Sequence, residues 1–161
     1  MNLAIFVDMD ETLVHTATRK ALLSRMSARE SAKHVFDLPP EIWWLSNDAV
    51  AVRRHAHEFL SLLNMITPDV YVYTAGLRGY QTRVLQAAKL LPYFAAVFGR
   101  GDRTPCCKHA ILIDNVCPNN PKIDELLKCC AVVDYICVND FSGDQDDELV
   151  IAARTVKGLV Q

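Results

Sequence analysis

Three short apolar runs, each ending at a polar side chain, constrain the fold of this chain more than any other feature of its sequence. They are residues 3–7 (LAIFV) before Asp8, residues 70–73 (VYVY) before Thr74, and residues 110–113 (AILI) before Asp114. Uninterrupted apolar runs of this length are typical of strands buried on both faces of a parallel sheet. The segments between the runs have helical composition. The sequence therefore predicts an α/β domain with a central parallel sheet and right-handed crossovers.

The other predicted elements follow the same alternation. A hairpin is predicted between residues 42–45 and 49–53, because Ser46-Asn47-Asp48 is typical of a polar turn. Residues 99–108 are predicted to form a polar loop. Predicted helices cover residues 17–33, 56–65, 79–91, 122–130 and 146–160, and further strands cover residues 96–98 and 135–138. A chain of 161 residues has the length of one domain.

Composition excludes several classes of protein. Charged residues make up 22% of the chain and the formal net charge is −2, which excludes a disordered chain and a polycation that binds nucleic acid by bulk charge. No apolar run approaches the ~18 residues of a membrane span. Acidic residues near the amino terminus replace the apolar core of a signal peptide, so we expect a cytoplasmic protein without a membrane partner. The six cysteines form no CxxC pair, and we expect reduced thiols rather than a zinc site.

The polar residues that end the apolar runs carry the candidate chemistry. Ligands of open parallel sheets bind outside the carboxyl ends of the strands. If the three strands are neighbours, Asp8, Asp10, Thr74 and Asp114 converge there. Three carboxylates in one small space need a cation, and oxygen ligands suit Mg²⁺. A hard divalent cation beside a carboxylate nucleophile is typical of phosphoryl transfer.

Residues 6–16 (FVDMDETLVHT) resemble the first motif, DxDxT, of the haloacid dehalogenase (HAD) superfamily. The Leu-Val-His that follows is similar to the branch of carboxy-terminal-domain phosphatases and NLI-interacting-factor-like domains. Residues 51–60, 71–76, 111–115 and 138–149 resemble later segments of that branch in the same order, although its Arg-Pro-Gly is here Arg54-His55-Ala56.

The resemblance implies a Rossmann-like three-layer α/β sandwich with a central parallel sheet. One domain would cover residues 1–161. A small hairpin and helix insertion, at about residues 16–53, would replace a large cap.

The resemblance also implies catalytic roles. Asp8 would be the nucleophile that forms an aspartyl-phosphate. Asp10 would protonate the leaving alcohol and then deprotonate the attacking water. Thr12 would brace the first loop and contact the substrate, and Thr74 would hydrogen-bond the phosphoryl group.

The same resemblance implies a Mg²⁺ site. Asp8, Asp114 and the backbone carbonyl of Asp10 would hold the ion, and Asn115 would support it through water. Relatives also use a lysine that neutralises the phosphoryl group, usually on or before a helix and well ahead of the metal-binding aspartate. Lys108, in the loop six positions before Asp114, is the predicted residue, with Arg103 and Lys89 as alternatives.

Two further residues are substrate-binding candidates. Arg78 follows Thr74 closely and is predicted to meet phosphate. Trp43 and Trp44 lie in the predicted hairpin, where adjacent residues face opposite ways, so one packs inside and the other, Trp44, is predicted to stack on a substrate.

These observations predict a Mg²⁺-dependent phosphatase that acts through an aspartyl-phosphate. The short insertion favours an open site and a phosphorylated macromolecule, and the resemblance favours phosphoserine or phosphothreonine in a protein. One alternative is a nucleotide or polynucleotide-end phosphatase; another is a catalytically silent phosphate-binding module. The arginines that could line a nucleic-acid track are Arg53, Arg54, Arg78, Arg100 and Arg103.

Overall fold

A computed structural model describes residues 2–18, 42–45, 48–143 and 146–161. Its strands are β1 (Leu3–Val7), β2 (Val14–Thr18), β3 (Ile42–Leu45), β4 (Asp48–Val52), β5 (Val70–Tyr73), β6 (Ala96–Phe98), β7 (Cys107–Asp114) and β8 (Cys130–Cys137). Its helices are α1 (Ala56–Ile66), α2 (Arg78–Ala87), α3 (Pro121–Leu127) and α4 (Glu148–Val160), with a 3₁₀ turn at Leu91–Tyr93. Among the described residues no helix is long and apolar enough to span a membrane.

The central sheet is parallel, with the strand order β6-β5-β1-β7-β8. Strand β1 therefore lies between β5 and β7, as the three apolar runs predict. In the register, Val7 is level with Val72 on one side and with Ile113 on the other. The residues after β1 and β5 and the last residue of β7 consequently meet at one point on the carboxyl edge of the sheet.

The apolar side chains of the strands alternate between two core clusters. Ile5 and Val7 face a cluster that includes residues of α1, α2 and α4. Ala4 and Phe6 face the opposite cluster, to which α3 contributes Leu126. The sheet is thus covered by helices on both faces, which is the three-layer α/β arrangement.

A smaller antiparallel sheet has the strand order β2-β4-β3. The hairpin of β3 and β4 is close to the predicted one. Residues 14–16 were expected to be connecting chain and residues 17 and 18 to begin a helix, because the sequence VHTAT carries no apolar run. The structure places all five residues in β2 instead. The predicted helix over residues 17–33 falls on residues 19–33 outside the described part of the chain.

Helix α3 begins where capping chemistry favours it. The Asn120 side chain accepts a hydrogen bond from the backbone N–H of Lys122 at 3.0 Å, and Pro121 occupies the first turn. The start of the helix is therefore fixed only seven residues after Asp114. This places Lys122 on the first turn, beside the carboxyl edge of the sheet.

Two expectations need correction. Strands β7 and β8 are longer than predicted, because their pairing already begins at Cys107 and Cys130. Cys117 and Cys137 form a disulfide, whereas we expected all six cysteines to be reduced. The other four cysteines are free thiols.

Candidate active site

The end of β1 places Asp8 at the centre of the carboxyl edge. Its backbone N–H donates to the carbonyl of Ile113 at 2.8 Å, which continues the pairing of β1 with β7. The residue is 5% exposed. The Thr12 hydroxyl lies 3.1 Å from Asp8 Oδ2 and 3.1 Å from Asn115 Oδ1, and its single proton serves one acceptor at a time. Thr12 thus contacts both Asp8, the nucleophile candidate, and Asn115.

A tight turn after β1 makes this contact possible. The carbonyl of Met9 accepts hydrogen bonds from the backbone N–H groups of Thr12, Leu13 and Val14. Glu11 takes a left-handed conformation with φ of 63°. Both apolar residues of the turn, Met9 and Leu13, are fully buried. The turn is therefore anchored by its own apolar side chains and brings Thr12 back over Asp8.

Asp114 and Lys122 stand beside Asp8. Asp114 is fully buried, and its Oδ1 accepts the backbone N–H of Val116 at 2.9 Å. The ammonium Nζ of Lys122 donates to Asp8 Oδ1 at 2.5 Å and to Asp114 Oδ2 at 2.6 Å. It also lies 5.6 Å from the centre of the Tyr73 ring. One cation thus bridges two buried carboxylates at the carboxyl edge of the sheet.

The electrostatics of this cluster follow from burial and mutual charge. Burial raises the pKa of Asp8, the ammonium of Lys122 lowers it, and the negative charge of Asp114 raises it; the result is a pKa of about 6. Burial alone would lower the pKa of Lys122, but the two carboxylates outweigh burial and raise it. At neutral pH, Lys122 is therefore protonated and Asp8 is mostly ionised.

Asp10 points to a different partner from that of Asp8. Gln81 of α2 donates from Nε2 to Asp10 Oδ2 at 2.7 Å. Burial raises the pKa of Asp10, and the hydrogen bond from Gln81 acts in the opposite direction. A raised pKa suits a carboxyl group that must carry a proton to a leaving group.

Thr74 lies on the other side of β1, directly after β5. It is 2% exposed, and its Oγ1 accepts the backbone N–H of Gly76 at 3.1 Å. The Thr74 hydroxyl donates to no acceptor among the described residues, so its proton is available for donation. Together with Lys122, Thr74 lines a pocket of about 200 Å³, a space in which a phosphoryl group can be held by hydrogen bonds.

The buried side chain of Arg53 holds the turn after β1 in place. Arg53 is 1% exposed, and its guanidinium makes a two-bond contact with Asp146, at 2.8 and 2.7 Å. It also donates to the backbone carbonyls of Thr12 at 3.0 Å and Asn139 at 2.8 Å, and lies 5.4 Å from the centre of the Phe141 ring. Arg53 thereby ties the turn after β1 to the segment before α4. It is not available to line a nucleic-acid track.

The structure places Lys122, rather than the predicted Lys108, beside Asp8 and Asp114. Lys108 lies within β7 rather than in a loop, is exposed, and makes no contact with Asp8 or Asp114 in the part of the chain that the structure describes. We missed Lys122 because we looked for the lysine ahead of Asp114. The available signal was Asn120-Pro121, which starts a helix with a lysine on its first turn.

The remaining candidates are placed as follows. Asn115 joins the site through Thr12 and also donates to Asp140 at 2.8 Å. Arg78 starts α2, and its largely exposed guanidinium lies 3.7 Å from Asp102. Its contact with phosphate stays a prediction. Trp44 belongs to β3, and the position of its side chain lies outside the described part of the structure.

Comparison with solved structures supports the fold. The chain superposes on the fission yeast RNA polymerase II CTD phosphatase Fcp1 bound to beryllium fluoride with a TM-score of 0.55 and 15% identity. The match covers 99% of this chain and 50% of that one, so the chain spans half the length of this relative. At this identity the likeness carries the fold alone.

Two bacterial HAD hydrolases are similar over nearly their whole length. One, from Ehrlichia chaffeensis, gives a TM-score of 0.55 at 14% identity, covering 98% of this chain and 97% of the other. The second is the putative HAD-hydrolase YfnB from Bacillus subtilis, bound to magnesium, with a TM-score of 0.56 at 13% identity and coverages of 96% and 98%.

No curated protein matches the chain by sequence. A family model, that of the NLI interacting factor-like phosphatases, matches residues 3–159. This range contains every residue of the site and almost all of the described fold. The chain belongs to the NLI interacting factor-like phosphatase family, and its fold is similar to the α/β fold of HAD hydrolases.

Proposed function

We propose that the protein hydrolyses phosphomonoesters through an aspartyl-phosphate on Asp8. One observation carries the proposal: the Lys122 ammonium lies 2.5 Å from Asp8 Oδ1 and 2.6 Å from Asp114 Oδ2, and Lys122 lines the same pocket as Thr74. A carboxylate nucleophile, a cation for the phosphoryl oxygens and a hydroxyl donor therefore share one small space.

In the first step, an ionised oxygen of Asp8 attacks phosphorus and the bond to the leaving alcohol breaks. Lys122 and Thr74 hold the phosphoryl oxygens by hydrogen bonds, and Lys122 offsets part of their negative charge. Asp10 gives its proton to the leaving oxygen. Gln81 holds the carboxyl group of Asp10 in place during this transfer, because it anchors Oδ2 to α2.

In the second step, water attacks the phosphorus of the aspartyl-phosphate and Asp8 is released. Asp10, now ionised, accepts a proton from that water and so returns to its first state. Each turnover leaves the protein unchanged and yields an alcohol and inorganic phosphate.

The donor set of the site fits Mg²⁺. Asp8 and Asp114 already converge on one cation, the ammonium of Lys122, and their ligand atoms are all oxygens. No group of three or more His, Cys, Asp or Glu side chains in the described residues is arranged to hold a metal. As the resemblance implies, Asp8, Asp114, the carbonyl of Asp10 and water would hold the ion, with Asn115 nearby. When bound, Mg²⁺ supplies charge that reduces the repulsion between a phosphate dianion and Asp8.

We further propose phosphoserine or phosphothreonine in a protein as the substrate. The printed description of the Fcp1 neighbour names an RNA polymerase II CTD phosphatase, and the family model supports a phosphatase. The burial of Arg53 removes one residue from the arginine track on which the nucleic-acid alternative rests. The presence of Lys122 in the site argues against a catalytically silent module.

The test is phosphate release from an aryl phosphate, with and without Mg²⁺, for the wild type and for Asp8→Asn. Release that requires Mg²⁺ and is abolished in Asp8→Asn is expected. Acid-quenched enzyme is expected to retain phosphate on the wild type and none on Asp8→Asn.

Asp124→Asn is the matched control, because Asp124 is an exposed carboxylate of α3 that makes no hydrogen bond with the site in the described part of the chain. Equal release by Asp8→Asn and the wild type would overturn the mechanism.

A further inference from the structure

A second and larger cleft adjoins the pocket lined by Thr74 and Lys122, which we call the phosphoryl pocket. It lies between the loop at residues 99–106 and the end of α3 at residues 125–129, and its volume is about 450 Å³. We call it the flanking cleft. It shares Tyr73, Gly101, Asp102 and Glu125 with the pocket that contains Thr74 and Lys122. Nothing in the proposed reaction uses this space, although its volume is typical of a ligand site.

The charges that line the flanking cleft are unevenly paired. Lys128 donates to Glu125 at 2.6 Å, and the carboxylate of Asp102 lies 3.7 Å from Arg78 Nη1 and accepts the backbone N–H of Gly99 at 2.9 Å. Arg103, by contrast, is exposed and has no hydrogen bond or ion pair with any described residue. The unpaired side-chain charge of the cleft is therefore positive.

A second arginine strengthens this charge at the border of the two pockets. Arg100 lines the phosphoryl pocket, and its Nε donates to the backbone carbonyl of Ala75 at 3.1 Å. No carboxylate pairs with Arg100 in the described part of the chain. Arg100 and Arg103 thus extend the positive charge of Lys122 from the phosphoryl pocket into the flanking cleft.

We propose that the flanking cleft binds an anionic side chain, a carboxylate or a second phosphoryl group, that lies a few residues from the target phosphate in an extended polypeptide. This inference rests on the proposed function. Arginine is suited to both anions because its planar guanidinium donates two parallel hydrogen bonds. An extended chain rises about 3.3 Å per residue, so two or three positions carry a side chain from one pocket into the next.

The composition of the cleft favours a peptide over a nucleic acid. Asp102 and Glu125 line the cleft together with the basic groups and would repel the continuous row of phosphates of an oligonucleotide. A peptide places one anion at one position and leaves its neutral backbone beside the acidic residues. The ring of Tyr73 and the thiols of Cys106 and Cys129 add less polar surface.

The experiment compares three phosphoserine peptides with a neutral residue, a glutamate or a second phosphoserine two or three positions away. For the wild type, we expect a lower KM for both anionic peptides than for the neutral one. Arg103→Glu is expected to reduce this preference about threefold to tenfold, because it replaces an attraction with a repulsion. The difference between the glutamate and phosphoserine peptides identifies the preferred source of the anion.

Arg154→Glu is the matched control, since Arg154 is an exposed residue of α4, on the opposite side of the sheet from α3, and the charge change is the same. Arg154→Glu should keep the preference of the wild type. Equal KM values for the three peptides in the wild type, or equal effects of the two variants, would overturn the proposal. A larger effect of Arg103→Glu on a 5′-phosphorylated oligonucleotide than on the anionic peptides would overturn it in favour of nucleic acid.

A binding measurement separates this proposal from the proposed function. Fluorescence anisotropy with labelled peptides and the Asp8→Asn protein reports affinity without catalysis. A preference for anionic peptides that depends on Arg103 supports the cleft even if no phosphate is released from any substrate. Absence of that preference, in a protein that hydrolyses aryl phosphate, overturns the cleft and leaves the proposed function intact.

Discussion

Gln81 donates a hydrogen bond from Nε2 to Oδ2 of Asp10 across 2.7 Å and thereby joins α2 to the loop after β1. Gln81 is 4% exposed, and its Oε1 is buried without a hydrogen-bond partner among the described residues. A buried amide with an unsatisfied oxygen costs free energy of folding. Because Gln81 lies on the face of α2 that meets Asp10, we infer that it positions the carboxyl group to which the proposed function assigns proton transfer.

Replacing Gln81 by methionine should impair proton transfer more than it impairs binding. Methionine keeps the volume of the side chain but cannot hold the carboxyl group of Asp10. We expect kcat for an alkyl phosphate, whose leaving group needs a proton, to fall about tenfold or more, and kcat for an aryl phosphate with a good leaving group to fall far less. Stability should be unchanged or higher, because the unsatisfied oxygen is removed. A proportional loss on both substrates would indicate a structural role instead.

Gly76→Ala should reproduce the effect of the Gln81 substitution. A Cβ at Gly76 would lie 2.2 Å from Gln81 Nε2 and 3.0 Å from its Cδ. The end of a glutamine side chain can move, so the added methyl should displace the amide and break its bond to Asp10. The ratio of alkyl to aryl phosphate turnover is the measurement. Gly79→Ala is the control, because apart from its chain neighbours and the backbone of its own helix no described atom lies within 4 Å of the Cβ it would add. It should leave the ratio unchanged.

Acid should weaken the link between Arg53 and Asp146. Partial burial opposes ionisation of Asp146, but hydrogen bonds from Arg53 and from the backbone N–H of Glu148 outweigh it and lower the pKa of Asp146. A lowered pKa means that the stabilisation is complete above the unfolded value of about 3.9 and is lost as pH falls through the folded value. Urea unfolding should therefore show the wild type more stable than Asp146→Asn from pH 7 to pH 5, with the difference shrinking below about pH 4.

The control for that pH series is Asp147→Asn. Asp147 has a largely exposed carboxylate 3.4 Å from His55 Nε2 and contacts no part of the turn after β1 in the described structure. Its stability difference from the wild type should be small. A gap between the wild type and Asp146→Asn that stays constant down to pH 3 would contradict the assignment.

The central sheet was predictable because its inner strands are continuous apolar runs. The structure has strands where the sequence indicates them, at residues 3–7, at residues 70–73 and, within the longer β7, at residues 110–113. Their polar end residues meet at one edge of the sheet, as expected. Strand β2 was not predictable in this way, since VHTAT is partly exposed and lacks the apolar pattern. The early part of β8 is also exposed, at Ala131 and Val132, so it does not belong to a buried apolar run that the sequence could indicate.

The contacts of the site were less predictable than its position. Asp8, Asp10, Thr74 and Asp114 follow from strand ends, which are local features. Arg53 contacts residues that are between 41 and 93 positions away from it in the sequence. Gln81 lies 71 positions from Asp10. No local pattern distinguishes Gln81 from an ordinary helix residue, because its partner is set by the packing of α2 against the loop.

The two lysines provide the sharpest contrast between the sequence-based expectation and the structure. Lys122→Met removes the cation between Asp8 and Asp114 and leaves two buried carboxylates facing each other. We expect kcat to fall about 10²- to 10³-fold, as for the loss of one electrostatic contact to the transition state. We also expect the free energy of unfolding to fall by about 3 kcal/mol, since one partner of a buried ion pair is lost.

Lys108→Met, an equal change at an exposed position of β7, should keep kcat and alter stability by less than about 0.5 kcal/mol. Phosphate release and urea unfolding of both variants check this, and a larger catalytic loss in Lys108→Met than in Lys122→Met would return the role to Lys108.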